Sequence, residues 1–349
     1  MKLKLWPITG AGYLYAGTSE FVRQISKYMR WCKNNNSNPV LDLYPEGYNL
    51  HVGGAYKSIV HIADAVGFKE SEITLVTGDM AAVYGCNVIK HEPFFMDKAS
   101  DYCLMHPTEF LKNTSKHFGH FIGRATWDRA VLHSHIKQYY QDQSFATFYN
   151  IANTHNTIGD ISNKLQTKGN FNIDEIQIIL SDIFHAPYNN IDPAYRMKES
   201  PKFPDDTQPL QIFYEQIFVD IVHETDVSMD NFFVTEKTLR PIMFQKPFIT
   251  MCGAHFMKNL QSLGFKTFDK WLDESYDSFT GIERLRKIQS SMEKIGKLDK
   301  SQRKQMLIEM QSTIEHNYEH LVTKSYRKNY DSMKIQSWNV GDMDWFDAS

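Results

Sequence analysis

Three residues late in the chain have the types and spacing that phosphate and sugar chemistry asks for. Glu224 follows a short apolar run at 218–222 and His223, and Glu236 and Lys237 come after a polar stretch and Val234-Thr235. Carboxylates accept hydrogen bonds from ribose hydroxyls, and a lysine ammonium beside helix N–H groups meets phosphate oxygens. Two acids and a base so placed suit a nucleoside diphosphate. A second group, Arg124 and Arg129, straddles the start of a helix expected to run through 139, after an apolar strand at 118–122 and Gly123. Guanidinium groups beside a helix N-terminus make an anion site, and fixed donors there lower the barrier as a departing diphosphate gathers charge. A reaction at a hydroxyl also needs a base to take its proton. Glu46 and Asp79 are the candidate bases, with Glu92 behind them, because each stands where an expected strand ends. The ordinary alternative for each acid is a helix cap or a solvated loop, and for Arg129 a surface pair with Asp128.

The elements that must hold these residues alternate. Strands are expected at 3–8, 39–43, 73–77 and 87–90, with helices at 19–31 and 55–66 between them. Ser19 is a natural cap, and Ile59, Ile62, Ala63 and Val66 recur at helical spacing. After 118–122 come a strand at 145–151, a helix at 173–184, and strands at 218–222, 247–251 and 265–268. Helices follow at 254–263, 282–295 and 300–321, the last two laced with charge as solvated faces are. Strand, loop, helix, strand is the rhythm of a parallel α/β sheet, whose ligands gather at the carboxyl ends of the strands. Thr126 is placed to cap the helix after 118–122. Pro241 removes a backbone donor, so the helix after Glu224 is expected to begin near Thr238, leaving Glu236 and Lys237 on its approach loop. Trp271 and Tyr276 read as packing anchors in an acidic loop with Asp273, Glu274 and Asp277.

A chain of 349 residues buries two ordinary cores. The expected domains are 1–115, 116–325, and a segment at 326–349 that docks back on the first. A net charge of −3 announces no global field for nucleic acid or an anionic membrane. Cys32, Cys86, Cys103 and Cys252 are scattered without a C-x-x-C pair, so neither a disulfide scaffold nor structural zinc is expected. Asp205 and Asp206 are adjacent and point apart, a poor metal pair. No apolar run is long enough for a bilayer, and Pro7 and three glycines interrupt the first residues as a signal segment. The expectation is a soluble intracellular protein.

Val234-Thr235-Glu236-Lys237, preceded by Glu224 and followed by Pro247-Phe248-Ile249 and a glycine, resembles the donor-binding motif of fucosyltransferase-type glycosyltransferases. With 264–268 (GFKTF) and 271–277 (WLDESYD) after it, the stretch is also similar to phage-encoded glycosyltransferase-like proteins. The resemblance spans about the last two-thirds of the chain and is sharp over 224–277. It implies an α/β fold of GT-B type, two Rossmann-like domains with parallel sheets and a donor cleft between them. It further implies transfer of a sugar from a nucleoside-diphosphate donor to an acceptor hydroxyl, with no permanent cofactor and no metal for the donor. By the same resemblance Glu236 takes the ribose, Lys237, Arg124 and Arg129 the diphosphate, and Glu224 either the ribose or the motif's own loop. The partners implied are a nucleotide sugar and, as acceptor, either hydroxymethylated DNA or a glycan, in the cytoplasm of a phage-infected host. The alternative is a non-catalytic nucleotide-sugar or glycan-binding protein on the same fold. No G-x-G-x-x-G follows a strand to favour a dinucleotide enzyme.

Overall fold

Short apolar runs become parallel strands, and one-sided runs become the helices that cover them. In a computed structural model of the chain, the residues described are 2–4, 19–42, 50–51, 54–77, 82–90, 94–123, 125–148, 157–184, 210–225, 227, 232–323 and 337–339. The chain opens with β1 (Lys2–Lys4), α1 (Ser19–Asn34), β2 (Val40–Asp42), α2 (Ala55–Val66), β3 (Thr74–Thr77), β4 (Asn87–Lys90) and α3 (Phe94–Met105). It continues through β5 (Lys116–Ile122), α4 (Trp127–Tyr140), β6 (Ser144–Phe148), α5 (Ile158–Gly169), α6 (Ile173–Phe184) and α7 (Gln211–Tyr214). Then come β7 (Ile217–His223), α8 (Glu236–Met243), β8 (Phe248–Met251), α9 (Phe256–Ser262), α10 (Gly281–Gly296) and α11 (Lys300–Thr323). The last strand is β9 (Ser337–Asn339).

These strands form two sheets, and every pairing within them is parallel. One has the order β4-β3-β2-β1-β9 and the other β6-β5-β7-β8. The contacts divide the chain into two units: 1–97 with 230–233 and 325–349, and 98–229 with 234–324. In the first, Ile25, Tyr28 and Met29 of α1 and Ile59 and Ala63 of α2 pack on Leu41, Ile73 and Leu75. In the second, every residue of β7 and β8 is buried, the pattern of strands covered on both faces. Among the described residues no helix is long and apolar enough to cross a membrane.

Two expectations are corrected here. Residues 98–115, assigned by sequence to the first domain, belong to the second unit because buried polar side chains hold them there. Gln245 Nε2 donates to Thr108 O at 2.5 Å, Lys246 Nζ to Leu111 O at 3.0 Å and Arg303 Nη2 to Thr114 O at 3.0 Å. Burial of Lys246 pushes its amine down to about 8. Nor do residues 265–268 form a strand. Lys266 N–H donates to Asn317 Oδ1 (2.7 Å), Lys266 O accepts from Asn317 Nδ2 (2.8 Å), and Phe268 N–H donates to Glu274 Oε1 (2.7 Å). Side chains satisfy this backbone where a neighbouring strand was expected to.

Candidate functional site

The second sheet has a switch point. From β5 the chain moves to β6 on one side, and it later returns to lay β7 against the other side of β5. Loops leaving two such strands part in opposite directions and open a crevice at their carboxyl ends. The helices α4 and α8 begin at these ends, and Arg129, Glu224, Glu236 and Lys237 stand around their first turns.

Asp128 and Arg129 lie in the first turn of α4, both buried. His223 Nε2 meets Asp128 Oδ2 at 2.9 Å, and Arg129 Nη2 donates to the carbonyls of Glu224 (2.9 Å) and His223 (3.5 Å). Two successive residues of a helix thus grip the last residue of β7 and the one that follows it. Burial alone would raise the Asp128 carboxyl, but His223 and Arg129 hold it well below the usual carboxylate range. Burial keeps the His223 imidazole below its ordinary value, against the pull of Asp128. The ring nitrogen Nε2 faces the ionised carboxylate and donates to it. Arg129 is no surface partner of Asp128, being 4% exposed. Thr126 stands at the cap position of α4 without a side-chain cap bond, contrary to the sequence expectation.

Glu224 is the hub of the second helix start. It accepts from the backbone N–H groups of Thr235 (3.1 Å), Thr238 (3.3 Å) and Thr225 (3.3 Å). It also accepts from the hydroxyls of Thr238 (2.5 Å) and Thr235. Thr235 caps α8 in turn, accepting from Lys237 N–H at 3.3 Å. Of the two roles left open for Glu224, the structure shows it bound to the motif's own loop. The N-terminus of α8 is consequently filled by the protein's own carboxylate, so these N–H groups are not an open anion site. That grip also explains why α8 begins at Glu236, two residues before the expected start. Pro241 lies inside the helix, but the first turn is fixed from outside by Glu224.

Glu236 and Lys237 remain partly exposed. Their charged groups pair with each other, and their side chains keep 19% and 21% exposure. Lys237 Nζ also donates to the hydroxyls of Thr225 (3.0 Å) and Thr235 (3.4 Å). Burial would raise the Glu236 carboxyl, but Lys237 and Arg240 bring it down to about 2, so it is ionised. Arg124, Glu46, Asp79 and Glu92 lie outside the described residues.

At the end of β8 the acidic loop is structural. Asp277 accepts from the first N–H groups of α9, Met257 at 3.0 Å and Lys258 at 3.2 Å, and pairs with Arg284 at 3.1 Å. Tyr276 is fully buried. Three residues of weight escaped the sequence reading: Asp128, His223 and Arg284. The first two had a signal, each being the neighbour of a residue already chosen. Arg284 had only its helical spacing to Ile288 and Ile295, which places it on the inner face of α10. None of the strand-end residues lines the open concavities beside α2 or between α4 and α6. No protein-family model, curated protein or solved structure matches the chain, so the site is read from its own geometry and chemistry.

Proposed function

We propose that this protein is a GT-B-type glycosyltransferase that takes a nucleoside-diphosphate sugar at the carboxyl ends of β5 and β7. The supporting observation is the division of labour at the switch point. Asp128, Arg129, His223 and Glu224 are buried and bond one another, the backbone and the hydroxyls of Thr235 and Thr238, while Glu236 and Lys237 keep partly exposed side chains. Ionised Glu236 suits ribose hydroxyls. Lys237 exchanges its hydroxyl contacts for phosphoryl oxygens, where charge-assisted bonds are stronger. Arg129 then acts by holding the exit of β7, and Arg124 supplies the second cation. In the transfer the bond from the anomeric carbon to the diphosphate breaks and a bond to the acceptor oxygen forms. The acceptor proton goes to Glu46 or Asp79, and the nucleoside diphosphate leaves with its gained charge. The acceptor is hydroxymethylated DNA or a glycan, and donor binding needs no divalent ion.

Lys237→Ala tests this reading. Lys237 is tied to hydroxyls and to Glu236 rather than to apolar packing, so the variant is expected to melt near the parent while losing transfer by a few hundredfold, on the order of 3 kcal/mol of barrier. A stably folded variant turning over at the parental rate overturns the donor site. Metal-free calorimetry that detects nucleoside diphosphate without any release of product on adding acceptor points to the non-catalytic binding protein.

A further inference from the structure

The first unit has a groove that the donor-site reading does not use. It runs along α1 from Val22 to Asn34 and along the C-terminal half of α2, and has a volume of about 440 Å³. Both helices run back against the strands they join, so their last turns sit at the amino ends of those strands, away from where ligands of parallel sheets usually gather. The polar lining is Ser26, Arg30, Lys33, Asn34 and His61. Every one of these side chains can donate a hydrogen bond, and among the described residues no carboxylate lines the groove. The floor is apolar, with Ile62 and Val66.

Lys33 is already held in place. Its Nζ donates to Gly67 O at 2.6 Å and stands 4.8 Å from the centre of the Phe68 ring. The negative ends of the two helices argue against an anion here, but their carbonyls are largely answered. Gly67 N–H donates to Asp64 O and Phe68 N–H to Ala63 O at the end of α2, and Ser37 N–H to Cys32 O at the end of α1. The cations of Arg30 and Lys33 therefore set the sign of the groove. Its size selects further. The groove is roomier than a bare phosphate needs and within the range of small-molecule sites.

We propose that this groove binds a small organic phosphate, its phosphoryl oxygens on Arg30, Lys33 and His61 and its apolar body on Ile62 and Val66. The proposal is independent of the donor site, which belongs to the other unit. Calorimetric titration of the full chain with phenyl phosphate tests it. Saturable one-to-one binding is expected, about tenfold weaker for inorganic phosphate and absent for phenol. Arg30→Gln and His61→Gln alter exposed side chains and should keep the circular dichroism of the parent while each weakens phenyl phosphate about tenfold. Binding should persist in Lys237→Ala. No saturable binding, equal binding of phenol, or unchanged affinity in the Arg30→Gln, His61→Gln double variant overturns the site. So does loss of binding in Lys237→Ala, which would place the probe in the second unit.

Discussion

The ends of β7 and β8, neighbours in one sheet, solve the same problem and arrive at different chemistry. At each, an acid reaches the N-terminus of the following helix: Glu224 bonds the start of α8 and Asp277 the start of α9. Asp277 is answered by Arg284, which is fully buried and donates also to the carbonyls of Thr250, Tyr276 and Phe279 at 3.1–3.2 Å. The charge of Asp277 is thus answered by a buried cation. At β7 threonine hydroxyls and backbone N–H groups satisfy the Glu224 carboxylate, and Lys237 pairs with Glu236 at partly exposed positions. An acid at a strand end is thus no site in itself. What distinguishes the two ends is whether charge is left over once the helix start has been satisfied.

The largest expected effect tests the closed end. Arg284→Met removes a buried cation and leaves several carbonyls without their donor, at a cost of about 3–5 kcal/mol by urea unfolding. Nucleotide affinity should survive in the folded fraction. A loss below 1 kcal/mol would mean that the end of β8 is held by packing alone. A second acid of β7 supplies the next test. Asp220 is fully buried with one donor at hand, the Tyr214 hydroxyl at 2.5 Å. Burial, only partly offset by Tyr214 and Arg240, raises its carboxyl to about 7, whereas an unfolded aspartate titrates near 4. A raised folded value contributes stability that is fully present below pH 4 and lost as pH rises through 7. Asp220→Asn removes this dependence. Relative to the parent, the variant should gain up to about 4 kcal/mol between pH 4 and pH 8, at 1.4 kcal/mol per pH unit across the window. Parallel stability curves for the two proteins would show that Asp220 is ionised in the fold.

Much of this was legible beforehand. The helix spacing at 55–66 and 173–184 and the strand at 87–90 coincide with α2, α6 and β4, because burying one face imposes its period on the sequence. Glu236 and Lys237 were legible as strand-end candidates, because charge after a buried run marks a strand end. What stayed hidden depends on partners far along the chain. Pro241 obeys its local rule until Glu224, bound to Thr235 and Thr238 at separations of 11 and 14 residues, fixes the turn ahead of it. Arg284 and Arg303 look like solvated helix charges until carbonyls from other elements close over them. Residues 265–268 have a strand's apolar pattern, yet Asn317, at a separation of 51 residues, takes the place of the ladder.

The smallest expected effect separates the two ends most sharply. Glu224→Gln preserves shape, but the amide keeps a single accepting oxygen where the carboxylate takes five hydrogen bonds, and it turns an NH₂ toward donors. Losing charge-assisted bonds of this kind costs about 2 kcal/mol, and the first turn of α8 loosens. Asp277→Asn makes the same change at α9 and should cost a similar amount. The two variants part in their affinity for nucleoside diphosphate. Glu224 is 1% exposed and need not touch the ligand, yet it positions the turn that carries Glu236 and Lys237. Its variant should bind about tenfold more weakly in calorimetry, while Asp277→Asn binds as the parent does. Equal affinities in the two variants would reduce the end of β7 to a second structural cap and remove the basis for placing the donor there.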